Sequence, residues 1–209
     1  MNRIQGISLL LAFAIGFAIP RSSSCSLGPN LIANGGFENT KEEVGTPEGW
    51  GATRVPQTAD YVSLEVVDSC SYSGDYSAFI EIDSGHPIEI ELDPYYVPNK
   101  IAYCWSTRTS ECRPGRLYVL SGWIKTQDLN SPAFLMVQCL ADSTDFQVLK
   151  FVYTSDETPV SGTSDWTRVA TVFNVPENTA GVRVMAGISS PKHIGGQVWF
   201  DNVEIRELR

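Results

Sequence analysis

Two acids stand in places where acids are expensive. Asp201 lies in the run Val198-Trp199-Phe200-Asp201-Asn202-Val203. Read as one strand, 197–205 gives Asp201 a face shared with Trp199, Val203 and Ile205, which is otherwise apolar. Glu38 follows Phe37 directly in the glycine-rich stretch Asn34-Gly35-Gly36-Phe37-Glu38. A buried carboxylate needs a partner, and two brought together repel unless a cation sits between them. Outside a cell, calcium fits such a site, because it takes carboxylate and carbonyl oxygens in a flexible shell. The alternative is that both acids accept hydrogen bonds from turn amides.

A second set of residues suits stacking. Tyr95, Tyr96, Tyr103 and Trp105 crowd the segment 93–115, which shows no clear strand pattern. Long irregular segments in compact domains are often functional. A flat aromatic ring paired with hydrogen-bonding groups matches a sugar, whose C–H face is apolar and whose rim is hydroxylated. The competing reading is a small cluster packed under its own loop. Gln138 and Tyr153, on alternating strands at 133–140 and 146–153, are candidate hydrogen-bond partners for such a glycan.

Other chemistry is missing from the sequence. His86 and His193 are the two histidines, and both sit in loop contexts. There is no G-x-S-x-G, phosphate loop or H-E-x-x-H. The acids are scattered or alternate on solvent faces, as Glu89 and Glu91 do, so no catalytic pair is expected. The formal net charge of -9 argues against nucleic acid, whose phosphates require clustered Lys and Arg.

The first stretch reads as an address for export, which makes disulfides permissible. Residues 1–24 read as a secretory signal, with Arg3 before the apolar run Ile7–Ile19 and small residues at Ser22-Ser23-Ser24. The expectation is a secreted, periplasmic or cell-surface protein with no transmembrane segment. Cys25 also stands where a bacterial lipoprotein would carry its lipid. Of the remaining thiols, Cys104 and Cys112 bracket a short polar stretch and are the favoured disulfide. Cys139 is expected as a buried thiol, with a bridge to Cys70 as the alternative.

The elements that must position these residues are strands. Ile88, Ile90 and Leu92 alternate with acids, and Val182, Val184, Ala186 and Ile188 alternate with Arg183, Met185 and Gly187. Further strands are predicted at 61–67, 76–82, 116–126, 133–140, 146–153, 168–173 and 197–206. Turns at Ser73-Gly74-Asp75, Pro114-Gly115 and Gly195-Gly196 separate them. The fold class is all-β: a two-sheet antiparallel β-sandwich, spanning 31–209 behind a short tether at 25–30.

Ordered motifs carry a resemblance. Asn30-Leu31-Ile32-Ala33-Asn34-Gly35-Gly36-Phe37-Glu38, Pro47-Glu48-Gly49-Trp50, Gly74-Asp75-Tyr76-Ser77-Ala78, Tyr118-Val119-Leu120-Ser121-Gly122-Trp123-Ile124-Lys125, Asp165-Trp166-Thr167 and Val198-Trp199-Phe200-Asp201-Asn202-Val203 occur in that order. The chain thereby resembles the carbohydrate-binding modules of families 4, 9 and 22, which are galactose-binding-domain-like jelly rolls. The resemblance implies non-catalytic binding of a poly- or oligosaccharide. It also implies a structural calcium held by Glu38 and Asp201, with backbone oxygens from Gly36 and from Gly74 or Asp75. The insert carrying Cys104, Trp105 and Cys112 departs from the family pattern. The rival function is a protein-interaction domain of the cell envelope or extracellular space, with the same structural calcium.

Overall fold

The computed structural model describes residues 26–41, 45–54, 56–85, 102–142, 147–189 and 195–209. The signal segment, Cys25, Tyr95, Tyr96 and the 88–92 alternation lie outside the described residues.

Ten strands build the described chain: β1 (Leu27–Asn30), β2 (Gly51–Thr53), β3 (Val62–Val67), β4 (Ser77–Ile82), β5 (Ala102–Thr109), β6 (Leu117–Leu140), β7 (Val148–Tyr153), β8 (Val160–Asn174), β9 (Gly181–Ser189) and β10 (Gly196–Leu208). Every pairing is antiparallel. Short 3-10 turns occupy Pro56–Tyr61 and Thr154–Asp156. Among the described residues no helix is long and apolar enough to cross a membrane.

The long strand β6 explains the two layers. Its first half pairs with β10 and β8, and its second half with β9 and β7. Its register with β8 shifts between Thr126 and Ala133, around Asp128, whose φ is 52°. The chain bends there and passes from one layer to the other, so hydrogen bonding runs unbroken through both. The first layer has the order β3-β4-β10-β6-β8 and the second β2-β5-β9-β6-β7. This is the predicted sandwich, with the strands predicted at 116–126 and 133–140 fused into one.

The inward residues of the two layers make one core. Ile80, Leu120, Ile124, Val198, Phe200, Val203 and Ile205 meet Leu135, Val137, Val184, Ala186 and Ile188, all fully or almost fully buried. At roughly 1.5–3 kcal/mol per buried aliphatic or Phe side chain, this layer is the main source of stability.

Three expectations require correction. The segment at 27–30 is not a tether: β1 pairs with the C-terminal end of β10, Asn30 opposite Arg206. Part of the segment read as irregular is strand β5, paired along its length with β9. Asp201 does not share a face with Val203 and Ile205. A bulge between Asp201 and Glu204, with Asn202 at φ 48°, reverses the alternation. Val203 and Ile205 therefore point inward, while Asp201 keeps the side of Trp199.

Candidate functional site: a carboxylate-held turn and the outer face of the second sheet

Glu38 and Asp201 meet. Asp201 is fully buried, and its Oδ2 accepts the amide N–H groups of Tyr72 and Ser73, both at 2.9 Å. Its Oδ1 accepts the Asn202 N–H at 2.6 Å. Glu38 accepts the Asp75 N–H at 3.1 Å and the Tyr76 N–H at 3.4 Å. Burial pushes the Asp201 carboxyl up from its ordinary value, its amide bonds pull it down, and the nearby Glu38 charge pushes it up again. The two acids thus hold one turn, 72–76, from opposite ends of the sequence. Gly74 is needed there: its φ is 70°, and a Cβ would lie 2.2 Å from Glu38 Oε1.

The oxygens at this place are of the hard type that calcium takes. A Cβ on Gly36 would stand 3.4 Å from Asn202 Oδ1 and 3.8 Å from Asp201 Oδ1, so both oxygens lie close to that glycine. The set consists of two carboxylates, an amide oxygen and backbone. Among the described residues no three His, Cys, Asp or Glu side chains converge as a metal cluster. The turn offers Glu38 the N–H of Asp75, which is the amide arrangement foreseen as the alternative to calcium.

The aromatic expectation fares differently. Tyr103 is fully buried and Trp105 is 1% exposed; both point into the core, where Trp105 Nε1 donates to the Phe79 carbonyl at 3.2 Å. They are core residues of β5, and no ligand reaches them. The Cys104–Cys112 disulfide is absent. Alternation along β5 puts Cys104 on the outer face, with Phe134, Met136 and Met185, while Cys112 sits in the core beside Cys139. Burial raises the Cys104 thiol to about 11 and the Cys112 thiol to about 12. Cys139 is fully buried, on the face of Leu135 and Val137.

Gln138 and Tyr153 do come together, on the outer face of the second sheet. Three rungs cross it. Phe151, Gln138, Arg183 and Arg108 align on β7, β6, β9 and β5. Tyr153, Met136, Met185 and Ser106 form the next, and Phe134, Gly187 and Cys104 the third. Met136, Met185, Phe134 and Cys104 make an apolar floor distinct from the core. The Phe134 and Tyr153 rings meet edge to face, with centroids 5.4 Å apart. Burial pushes the Tyr153 phenol up, helped by Asp156.

Phe151 is 48% exposed and Leu149 38%, so β7 presents an apolar edge strip beside polar groups. Arg183 donates from Nε to Gln138 Oε1 at 2.7 Å, and again from Nη2. This fixes the Gln138 amide in one orientation, with its NH2 group turned away from the guanidinium. One rung further, β6 ends at Leu140 and β9 starts at Gly181, paired with each other. A hollow of about 290 Å3 lies beside this pair, lined by Arg108, Thr109, Ser110, Leu140 and Asp142 among others.

Sequence reasoning had placed Phe151 and Arg183 on alternating strands without assigning them to the site. The missing information was register: only strand pairing shows that Phe151, Gln138 and Arg183 share a rung.

Comparison with known proteins follows this geometry. No family model matches the chain. Among curated proteins, an uncharacterized HTH-type transcriptional regulator of Bacillus subtilis, YbfP, is 36% identical over 94 residues, which is 45% of this chain and 30% of YbfP. The tRNA nuclease WapA of the same species is 25% identical over 193 residues, covering 92% of this chain and 7% of WapA. The chain therefore spans a small part of either relative.

Among solved structures, the CBM22-1 xylan-binding domain of Paenibacillus barcinonensis Xyn10C superposes with a TM-score of 0.53 at 16% identity, covering 87% of this chain and 96% of that one. The fold is the jelly roll of carbohydrate-binding modules. A putative sugar binding protein of Bacteroides thetaiotaomicron gives a TM-score of 0.57 at 14% identity, covering 86% of this chain and all of that one (100%). The same jelly roll occurs in an enzyme, a Stig cyclase of Fischerella sp. TAU, with a TM-score of 0.54 at 15% identity and coverages of 87% and 98%. Architecture is shared between binding and catalysis, so function rests on the site.

Proposed function

We propose that this chain is a non-catalytic module that binds a poly- or oligosaccharide on the outer face of its second sheet. One observation carries the reading: an exposed apolar strip, Leu149 and Phe151, runs beside Gln138 locked by Arg183 and beside the hollow over Gly181. A pyranose ring stacks its C–H face on Phe151 and Tyr153, while its hydroxyls meet the Gln138 amide and the Arg183 guanidinium. The strands are rigid and the amide is already oriented, which lowers the ordering cost of binding. Affinity per site is modest, because the contact area is small.

The reading extends to location and metal. The module acts outside the cytoplasm after removal of residues 1–24. Calcium, when bound, neutralises the two acids at the carboxylate-held turn. Glu38, Asp201 and the Asn202 side-chain oxygen would hold it, and their role is to tie the N-terminal segment to β10. The likeness to a xylan-binding domain and to a sugar binding protein supports saccharide recognition.

The test is retention of the protein from residue 26 onward on insoluble polysaccharides and a glycan array, with Phe151→Ala alongside. Binding that Phe151→Ala weakens supports the reading. Failure of every glycan to retain the unmutated protein overturns it.

A further inference from the structure

We propose that β7 is the pairing edge of a homodimer: the β7 strands of two copies of this chain join antiparallel about a two-fold axis at Phe151, and their second sheets become one. The inference goes beyond the saccharide reading and does not depend on it.

An edge strand offers a row of backbone donors and acceptors to any other strand, and folded proteins blunt such edges. Other edges of this fold are blunted. β1 contains Pro29, and β2 is three residues long. On β3 the Leu64 carbonyl accepts from Arg54 Nη2 at 3.3 Å. β8 carries exposed Asp165 and Arg168, and its register with β6 shifts repeatedly.

β7 is different. It pairs with β6, and among the described residues no strand lies along its other edge. Its sequence, Val148-Leu149-Lys150-Phe151-Val152-Tyr153, has no Gly, no Pro and a single charge. Short segments of that composition pair readily with their own kind. The charge does not guard the edge. Lys150 Nζ donates to the side-chain oxygen of Asn174, at the end of β8, and to the Asn174 carbonyl at 3.5 Å. The register shift against β6 falls at the start of the strand, and Lys150 to Tyr153 pair regularly.

The occupant is a second copy because the strand is complementary to itself. Antiparallel pairing sets residues of one face opposite each other. Centred on Phe151, it places Phe151 opposite the partner's Phe151 and Leu149 opposite the partner's Tyr153. The exposed strip of one copy then continues into that of the other. On the inner side Lys150 faces the partner's Val152. Centring on Lys150 would oppose two lysines, and a slip of one residue would turn apolar faces to the wrong side. The two-fold axis closes the contact, so assembly stops at two copies. Six residues a side fall well short of the roughly 20–30 in a standard interface, so the dimer is weak and concentration-dependent.

Sedimentation of the full chain, purified from an exporting host and free of glycan, tests this between about 10 μM and 1 mM. A monomer–dimer equilibrium is expected within that range. Phe151→Glu and Phe151→Lys each set like charges across the axis and should weaken self-association more than about tenfold. An equimolar mixture of the two variants should restore the dimer, because opposite charges then face each other. Melting temperatures show that each variant folds. An unmutated protein that stays monomeric throughout overturns the proposal. So does a dimer that either folded variant leaves intact, or a mixture that stays monomeric. With no glycan present, none of these results bears on the saccharide reading.

Discussion

The two sheets carry aromatic residues on their outer faces in different settings. On the first sheet the Tyr72 ring lies flat on Trp123, with centroids 3.8 Å apart and 15° between planes, and Trp166 meets Tyr72 edge-on at 6.0 Å. Phe79 and Trp199 pair beside them at 5.1 Å. These rings stack on one another, and Tyr72 still keeps 41% of its surface exposed. The backbone N–H of Tyr72 is also held by Asp201, so the stack and the carboxylate-held turn brace each other. On the second sheet, Phe151 stands on the edge strand with its ring about half open to solvent, next to Gln138. The contrast teaches that aromatic content does not mark a binding surface. A ring already stacked on another ring adds stability, whereas an exposed ring beside an oriented amide offers a ligand both an apolar face and a hydrogen-bonding group.

The comparison is broken most severely at Asp201. Asp201→Ala strands the amides of Tyr72, Ser73 and Asn202 and should cost about 3 kcal/mol, since each unsatisfied buried group costs roughly 1–3 kcal/mol. A fall in the urea midpoint with unchanged slope checks this. Calcium comes next. At a hundredfold excess over its dissociation constant a bound ion adds about 2.7 kcal/mol. Chelation by EDTA should therefore lower the melting temperature, and Glu38→Gln should remove the EDTA effect. A melting temperature indifferent to EDTA and to added calcium would leave the turn amides as the sole partners of the two acids.

Phe151→Ala should weaken glycan binding about tenfold, or about 1.4 kcal/mol, with little change in melting temperature because the ring is half exposed. Tyr72→Ala should do the reverse: a stability loss of about 1 kcal/mol from the lost aromatic pair and unaltered glycan affinity. The smallest effect concerns the thiols. Cys104 and Cys112 bind their protons more tightly in the fold than in the open chain, at about 11 and about 12 against 9.0. Their contribution is complete below about pH 9 and is lost as pH rises toward those values. Stability should decline above pH 9, and Cys104→Ser together with Cys112→Ser should flatten that decline. At pH 8 a thiol reagent should label Cys70, which is partly exposed, and reach the other three only on unfolding.

Much of this was legible in the chain. Alternation located most of the described strands, because one buried face imposes a period of two. Glu38 and Asp201 do bind the same turn, but the buried-charge argument holds for Asp201 alone, because Glu38 is exposed. Strand β5 was hidden although its signal was present: Tyr103, Trp105 and Thr107 alternate with Cys104, Ser106 and Arg108. Clustered aromatics and flanking cysteines resembled a stapled loop, and that impression outweighed the alternation. The bulge at Asn202 was not readable, since one inserted residue changes faces without changing composition.

The central claim is that the open face of the second sheet, and not the stacked face of the first, meets a saccharide. Parallel titration of Phe151→Ala and Tyr72→Ala against whichever polysaccharide retains the unmutated protein tests it most directly. The account predicts weakened binding for Phe151→Ala and unchanged binding for Tyr72→Ala. The opposite pattern, in folded variants, would contradict it.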